Sequence, residues 1–154
     1  MEMMNKMDSI TVKIKKLVPE AQLPSRGSEY AAGYDLYYCG DETINIPAHG
    51  TVKIGTGVAV DLPEGTFGAI FARSGLATKR GLRPANAVGV IDSDYRGELI
   101  VALHNDTETS KTIDSFERIG QLVVLPYFPI VFEEVDELSV TERGEGGFGS
   151  TGEK

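Results

Sequence analysis

A dense group of reactive side chains follows the apolar run 88–91. Within the seven residues 92–98 the chain carries three carboxylates, a phenol and a guanidinium: Asp92, Asp94, Glu98, Tyr95 and Arg96. A carboxylate held on a rigid turn can orient a water molecule and take its proton, so Asp92 is a candidate general base. Aspartate also favours turns for conformational reasons alone. This segment by itself is equally consistent with a catalytic turn and with an ordinary acidic turn.

Segment 72–77 carries groups that bind phosphate. It ends an apolar run and begins a short helical pattern, so backbone N–H groups, the Ser74 hydroxyl and the Arg73 guanidinium could converge on one anion. Ser74 could instead be only a helix cap, which is the more common role. Gln121 adds a possible donor where a turn enters an apolar strand. Asp35 follows a glycine turn and could orient a metal-bound water, although a turn-stabilising aspartate is more common.

The C-terminal segment 142–154 contains five glycines and little that could be buried, so we expect a mobile arm. Extended, its 13 residues would span up to about 45 Å, enough to reach a site on another chain. It matches G-x-G-x-x-G, but no strand precedes it and no helix follows, which argues against a dinucleotide-binding loop. Arg143, Phe148, Ser150 and Thr151 could bind phosphates and stack on a base. A solubilising tail is the alternative.

Composition and charge exclude several classes of protein. The 154 residues carry a net charge of −8 and no basic stripe, so nucleic-acid binding is not expected. Cys39 is the only cysteine and the histidines are His49 and His104, which rules out an internal disulfide and leaves a Cys/His zinc site without ligands. Because no segment has the character of a signal peptide or a membrane span, we expect a soluble, cytoplasmic protein with no membrane partner.

The elements that must position these groups are short strands separated by turn formers. Residues 10–15 alternate apolar and polar side chains, as a strand with one buried face does. Further β-rich runs occupy residues 34–39, 43–46, 52–62, 66–71, 88–91, 98–103 and 119–132. Only Ser74–Arg80 reads as a helix, with Gly81 as its stop. The pattern predicts an all-β sandwich, jelly roll or barrel, and it predicts that residues 88–98 form a hairpin.

These patterns divide the chain into three parts. Residues 1–9 are predicted to be a disordered extension, residues 10–141 a single β domain, and residues 142–154 a flexible glycine-rich arm that closes over an active site. No Walker loop, nucleophile elbow or kinase signature is present, so the common routes to phosphate and ester chemistry are absent.

Five segments read together resemble a known family. In chain order these are AAGYDL at 31–36, ARSGLA at 72–77, NAVGVIDSDYRGEL at 86–99, RIGQL at 118–122 and RGEGGFGSTG at 143–152. They are similar to the five motifs of the trimeric deoxyuridine triphosphatases. The resemblance implies a homotrimer of β jelly rolls with three shared active sites, each built from loops of two chains and covered by the arm of the third. It also implies that Mg²⁺ assists cleavage of dUTP to dUMP and pyrophosphate. That reaction would limit uracil in DNA and supply dUMP for thymidylate synthesis.

The resemblance also implies a role for each motif residue. Asp92 would activate the water that attacks the α-phosphorus, and Tyr95 would lie beneath the deoxyribose and exclude a ribose 2′-hydroxyl. Mg²⁺ would lie mainly on the triphosphate, with Asp35 at most an outer-shell partner. Uracil recognition would involve Asn86, Val90, Ile91, Phe148 and Gly149. Phosphate binding would involve Arg73, Ser74, Gly75, Gln121, Arg143, Ser150 and Thr151.

One residue departs from the family pattern, because Ala72 stands where a proline usually precedes Arg-Ser-Gly. We expect a modest effect on phosphate affinity. Two alternatives to a deoxyuridine triphosphatase also fit the fold. One is a dCTP deaminase-like enzyme, which would need a catalytic glutamate near the cytosine amine. The other is a nucleotide-responsive regulatory trimer, in which binding matters more than hydrolysis.

Overall fold

The computed structural model of the chain describes residues 8–149 and residue 152. Within these residues it contains eleven β-strands and one α-helix. The strands are β1 Lys13–Lys16, β2 Tyr34–Tyr37, β3 Ile44–Ile46, β4 Thr51–Gly55, β5 Val58–Asp61, β6 Thr66–Phe71, β7 Leu82–Pro84, β8 Gly89–Ile91, β9 Ile100–Asn105, β10 Lys111–Ile113 and β11 Arg118–Pro126. The helix is α1, Ser74–Arg80. The predicted extension 1–9 lies mostly outside the described residues.

The strands form four antiparallel sheets. The largest has the order β2-β11-β6-β8, and a three-stranded sheet has the order β4-β9-β7. Two-stranded sheets pair β1 with β5 and β3 with β10. Neighbours in these sheets are mostly far apart in sequence, as in a sandwich whose strands alternate between layers. The all-β prediction with one short helix is therefore confirmed.

Alternating burial builds the core between the sheets. Along β9 the odd-numbered residues Val101, Leu103 and Asn105 are buried, while their even-numbered neighbours face outward. Asn105 is polar but fully satisfied, because its amide nitrogen donates to Ile46 O at 3.0 Å and its oxygen accepts from Thr107 N at 2.9 Å. A buried amide that makes all of these bonds stabilises a corner that an unpaired polar group would weaken.

The helix matches its predicted bounds, but its cap differs. Gly81 ends α1 in the left-handed conformation with φ 69°, and its N–H reaches the carbonyls of Ala77 and Leu76. The hypothesis that Ser74 caps the helix is wrong: Arg73 is the N-cap residue, and Ser74 is the first helical residue. The Ser74 side chain is exposed and makes no cap hydrogen bond. Its hydroxyl is therefore available for a ligand.

Several strand boundaries differ from the prediction for local reasons. The run 52–62 splits into β4 and β5 because Gly57, at φ 71°, turns the chain. β11 ends at Pro126 rather than residue 132, since proline cannot continue a hydrogen-bonded ladder. β7 and β10 were not predicted: β7 follows Gly81 and ends at Pro84, two residues typical of turns, and β10 has a single buried residue, Ile113.

The predicted hairpin 88–98 is wrong in one respect. β8 belongs to the four-stranded sheet and β9 to the three-stranded sheet, so the chain crosses between sheets at this point. We call residues 92–98 the Asp92 loop. Its N-terminal side is anchored by the pairing of β8 with β6, and its C-terminal side is anchored by β9. A loop held by two layers has less freedom than a loop held by one pair of strands.

The segment after β11 remains exposed in the single chain. Residues 127–140 contain no helix or strand, yet they include several apolar side chains that are about two-thirds exposed or more: Phe128, Ile130, Val131, Phe132, Leu138 and Val140. We call residues 127–140 the apolar strap. Contiguous exposed apolar surface of this kind marks an interface. Within the described residues the only helix is α1, which has two turns. It is not long and apolar enough to cross a membrane.

Candidate active site

Asp35 on β2 gathers two arginines from different parts of the chain. Arg73 Nε donates to Asp35 Oδ1 at 2.9 Å, and Arg118 Nε lies 3.7 Å from Asp35 Oδ2. The carboxylate is largely buried, with 13% of its side chain exposed, so its charge is screened less than a surface charge. The Arg118 guanidinium also lies 5.9 Å from the centroid of the Tyr37 ring. Asp35 thus fixes the direction in which both guanidinium groups point.

Gln121 joins the same cluster from β11. Asp35 and Gln121 are paired across the strands, and Gln121 Nε2 donates to the carbonyl of Ala72 at 2.8 Å. A Cβ at Gly33 would overlap Gln121 Oε1, so this glycine leaves room for the amide in its present position. The predicted phosphate residues Arg73 and Gln121 are therefore brought together, and Ser74 and Gly75 follow Arg73 directly on α1. We call this group the phosphate cluster.

A cation-rich cavity of about 460 Å³ adjoins the phosphate cluster. Its lining residues include Arg73, Gly75, Lys79, Arg80, Glu117 and Arg118. Arg80 is paired with Glu117 at 2.7 Å, whereas Lys79 has no ion pair within the described residues. The chain carries a net charge of −8, so this cavity concentrates positive charge on an acidic protein. Such a site suits an anion with several charges.

Sequence reasoning missed Lys79. The signal was present, because Gly75 and Lys79 are four residues apart on α1 and residues at that spacing share a helix face. Once α1 begins at Ser74, a side chain at position 79 lies on the same side as the Arg-Ser-Gly segment.

The Asp92 loop lines a second, separate cavity of about 660 Å³. Its lining includes Phe67, Val90, Asp92, Asp94 and Tyr127, none of which lines the first cavity. Asp92 is exposed, and its backbone carbonyl accepts a hydrogen bond from Tyr95 N at 3.1 Å, which closes the turn. The candidate base is therefore accessible and held on a hydrogen-bonded turn.

Three of the predicted uracil-reading residues, Asn86, Val90 and Ile91, come just before Asp92 in the chain. Ala87 has a φ of 62°, and its N–H bonds to Pro84 O at 3.1 Å, which bends the chain just after Asn86. A Cβ on Gly89 would lie 3.6 Å from Asn86 Nδ2, so the amide packs over the first residue of β8. Val90 on β8 is exposed and Ile91 is partly buried. Val90 therefore lies beside the Asp92 loop, whereas the side chain of Ile91, the next residue of β8, packs against the core.

The structure does not bring Asp92 to the phosphate cluster of its own chain. Asp35 lies on β2 and Asp92 follows β8, at opposite edges of the four-stranded sheet. Through the register, Asp35 is aligned with Phe71, and Ile91 pairs with Gly68, so Asp92 lies about four residues further along. Three strand spacings and four residue steps separate the two backbones by roughly 20 Å. One small ligand atom cannot contact both carboxylates in a single chain.

In its described part, residues 142–149 and 152, the C-terminal arm has no regular secondary structure and carries mostly exposed groups. Arg143 Nε donates to Gly146 O at 2.8 Å, so the side chain bonds within the arm. Phe148 is fully exposed, with a φ of 51°. Gly149 is also exposed and adopts a φ of 78°. Ser150 and Thr151 lie outside the described residues.

The described part of the chain does not form a set of protein ligands that would enclose a metal ion. Within it, no three histidine, cysteine or acidic side chains come together as a set of ligands. Asp35 Oδ1 already accepts a hydrogen bond from Arg73 Nε, and Oδ2 faces Arg118, so two cations already neutralise this carboxylate. The arginine and lysine side chains that line the adjoining cavity do not ligate a metal ion, so a metal here would be held mainly by a ligand's own oxygens.

Comparison with known proteins defines the family. The model of the dUTPase family matches residues 19–152. A deoxyuridine 5′-triphosphate nucleotidohydrolase from Desulfitobacterium hafniense strain DSM 10664 is 48% identical over 95% of this chain and 99% of its own length. The protein of that name from Syntrophotalea carbinolica is 42% identical over 95% of this chain and 99% of its own. The chain therefore belongs to the dUTPase family.

A solved structure supports the same assignment. The Staphylococcus bacteriophage 80alpha dUTPase with dUPNHPP superimposes with a TM-score of 0.86 and 33% identity, covering 94% of this chain and 99% of that one. Phage dUTPases such as that one control the transfer of virulence genes by a G protein-like mechanism. The present chain has the dUTPase-like jelly-roll fold, and it is an enzyme of nucleotide metabolism, a hydrolase. Enzymes of this family depend on a metal ion.

Proposed function

We propose that this enzyme hydrolyses dUTP to dUMP and pyrophosphate by water attack on the α-phosphorus. The observation that carries the proposal is near full-length identity of 42–48% to proteins named deoxyuridine 5′-triphosphate nucleotidohydrolase. We place the reaction in the cytoplasm. There it would keep uracil out of DNA and supply dUMP for thymidylate synthesis. The family match favours this activity over the dCTP deaminase alternative.

The active site is shared between chains of a homotrimer. The separation of roughly 20 Å between Asp92 and the phosphate cluster supports this, because a triphosphate that contacts both must lie between two copies. The apolar strap supports it independently, since its exposed side chains Phe128, Val131 and Phe132 need a partner to cover them. One chain supplies the Asp92 loop, and a second supplies the phosphate cluster.

Hydrolysis then follows from the placement of Asp92. Its carboxylate accepts a hydrogen bond from a water molecule and takes the proton as the water oxygen bonds to the α-phosphorus. The bond from that phosphorus to the bridging oxygen breaks, and pyrophosphate leaves. Arg73, Ser74, Gly75 and Gln121 hold the departing phosphates, where fixed donors stabilise the developing charge.

Selectivity comes from the surface that precedes Asp92. Asn86, together with the backbone of Val90 and Ile91, reads the uracil edge. Tyr95 lies beneath the deoxyribose and leaves no room for a 2′-hydroxyl. A pocket that hydrogen-bonds one base edge rejects bases that leave its polar groups unpaired.

The arm completes the site from a third chain. Arg143, Ser150 and Thr151 add phosphate donors, and Phe148 stacks on the uracil beside Gly149. Closure excludes bulk water, which strengthens every charge contact inside the site. Bound Mg²⁺ would neutralise charge on the triphosphate and would be held mainly by the triphosphate oxygens, with Asp35 at most an outer-shell partner.

Lys79 adds charge for the phosphates beyond the α-phosphorus. We expect Lys79→Gln to weaken the affinity for a non-hydrolysable dUTP analogue about threefold to fivefold, a small effect because the side chain is exposed. The affinity for dUMP, which lacks those phosphates, should not change. Titration calorimetry at two salt concentrations measures both, and the deficit should shrink at high salt.

Lys53→Gln is the matched control for Lys79. Lys53 is an exposed lysine on β4, in the other sheet. If the two variants lose equal affinity, or if Lys79→Gln weakens dUMP binding as much as analogue binding, Lys79 has no specific role at the phosphates.

A pyrophosphate-release assay across the deoxynucleoside triphosphates tests the proposed function. Rapid release from dUTP, with little from dTTP, dCTP or UTP, is the expected result. Ammonia release from dCTP would instead establish the deaminase alternative. The regulatory alternative stays a hypothesis for this chain, motivated by the control of gene transfer that phage dUTPases exert.

A further inference from the structure

Glu98 connects the Asp92 loop to a distant turn. Its carboxylate oxygen Oε2 accepts a hydrogen bond from the backbone N–H of Gly57 at 3.0 Å, 41 residues away in sequence. Gly57 lies in the turn between β4 and β5, and the Glu98 side chain is partly buried there. A charged acceptor on a backbone donor is among the stronger hydrogen bonds in proteins.

The turn at residues 55–57 is shaped to receive this carboxylate. A Cβ on Gly55 would clash with Glu98 Oε2, so the absence of a side chain makes the space. A Cβ on Gly57 would lie 2.8 Å from Cys39 Sγ, too close for any larger residue. Burial raises the pKa of the Cys39 thiol, and the nearby Glu98 charge raises it further, consistent with a carboxylate held close to this packed region.

The backbone of Glu98 holds the tyrosine of the loop. The Tyr95 hydroxyl donates to the carbonyl oxygen of Glu98 at 2.9 Å. A Cβ at Gly97 would overlap the Tyr95 hydroxyl and ring, so this glycine leaves room for the ring in its present position. Leu99 continues the anchor, since its N–H donates to Val58 O at 2.8 Å and its carbonyl accepts from Thr56 Oγ1 at 2.7 Å.

The side chain and the backbone carbonyl of Glu98 therefore both bear on the position of Tyr95. Its side chain is held by the β4–β5 turn, and its carbonyl holds the Tyr95 ring. Tyr95 is 42% exposed, and packing alone does not fix its ring. A shift of the Glu98 backbone would move the tyrosine hydroxyl, and the ring with it.

We propose that Glu98 is a positioning residue that sets discrimination against ribonucleotides by fixing Tyr95 through its bond to Gly57. The inference rests on the proposed function, in which Tyr95 blocks the 2′-hydroxyl. Steric exclusion requires a wall that does not yield, because a ring free to move by about 1 Å would admit one more oxygen. Glu98 contacts no substrate and acts through Tyr95 alone.

Three substitutions distinguish the effect of the side-chain length of Glu98 from the effect of its charge. Glu98→Gln keeps an acceptor oxygen at the same distance, Glu98→Asp keeps the charge but shortens the chain, and Glu98→Ala removes both. Asp61→Ala is the control, because Asp61 braces the loop through Arg96 at 3.0 Å, and Arg96 bonds to the backbone carbonyls of Ser93 and Tyr95 but not to the Tyr95 hydroxyl. For each variant the ratio of kcat/KM for dUTP to kcat/KM for UTP is measured, together with the melting temperature.

We expect the dUTP-to-UTP ratio to fall about fivefold or more in Glu98→Ala and Glu98→Asp, as the loss of one hydrogen bond predicts. It should stay near the wild-type value in Glu98→Gln and Asp61→Ala. If Glu98→Ala does not fold, Glu98→Asp decides. An unchanged ratio in Glu98→Asp, or a fall in Glu98→Gln equal to that in Glu98→Asp, overturns the inference. A wild-type enzyme that does not hydrolyse dUTP overturns the proposed function instead.

Discussion

Asp92→Asn should lower kcat for dUTP hydrolysis by at least about 10²-fold, the lower range for loss of a positioned general base. The amide cannot take a proton from water, but it has the size of the carboxylate and leaves the turn intact. The affinity for a non-hydrolysable dUTP analogue should therefore stay close to that of the wild type. Single-turnover kinetics with dUTP, together with calorimetry for the analogue, measure the two quantities separately.

Asp94→Asn is the matched control, because Asp94 is an exposed carboxylate in the same loop and lines the same cavity. Its kcat should fall by less than about threefold, as for a surface charge without a chemical role. Equal losses in both variants would mean that the charge of the loop matters and that no single base exists. Near-normal turnover in Asp92→Asn would remove Asp92 from the mechanism.

Truncation after Thr141 should leave a folded protein with kcat/KM for dUTP reduced by at least about 10²-fold, since several charge contacts to the transition state are lost together. Folding should survive because the buried core ends at Leu122, well before the arm. Circular dichroism and the melting temperature monitor the fold, and the pyrophosphate-release assay monitors activity.

Phe148→Ala in the full-length chain is the control for the truncation. Stacking on one base contributes about 1–3 kcal/mol, so this variant should lose part of the activity and none of the stability. If the truncated chain unfolds, the arm belongs to the structure of the protein. If the truncated chain keeps full activity, the arm takes no part in closure.

Local chemistry made several features predictable from the sequence. The bounds of α1 follow from the apolar Leu76 and the stop at Gly81, whose left-handed conformation suits glycine. The motif residues Asp35 and Gln121 lie opposite each other in the sheet register, and their membership of one active site stays a prediction. The all-β class follows from short alternating runs, which local patterns describe well.

Features that depend on long-range pairing were not predictable. Nothing in residues 88–98 shows that β8 and β9 enter different sheets, because that depends on partners contributed by β6 and β4. The bond between Glu98 and Gly57 spans 41 residues and has no local signature. The distance between Asp92 and the phosphate cluster likewise emerges only from strand order.

The central claim is that two chains build each active site, and complementation between two inactive variants tests it most directly. Asp92→Asn and Arg73→Ala would be co-expressed and purified together as mixed trimers, with each variant alone as control. If the carboxylate and the arginine come from different chains, about one quarter of the sites in a random equal mixture combine an intact Asp92 with an intact Arg73. We predict that activity returns to about that fraction of the wild type. Mixed trimers that stay as inactive as the separate variants would contradict the shared site.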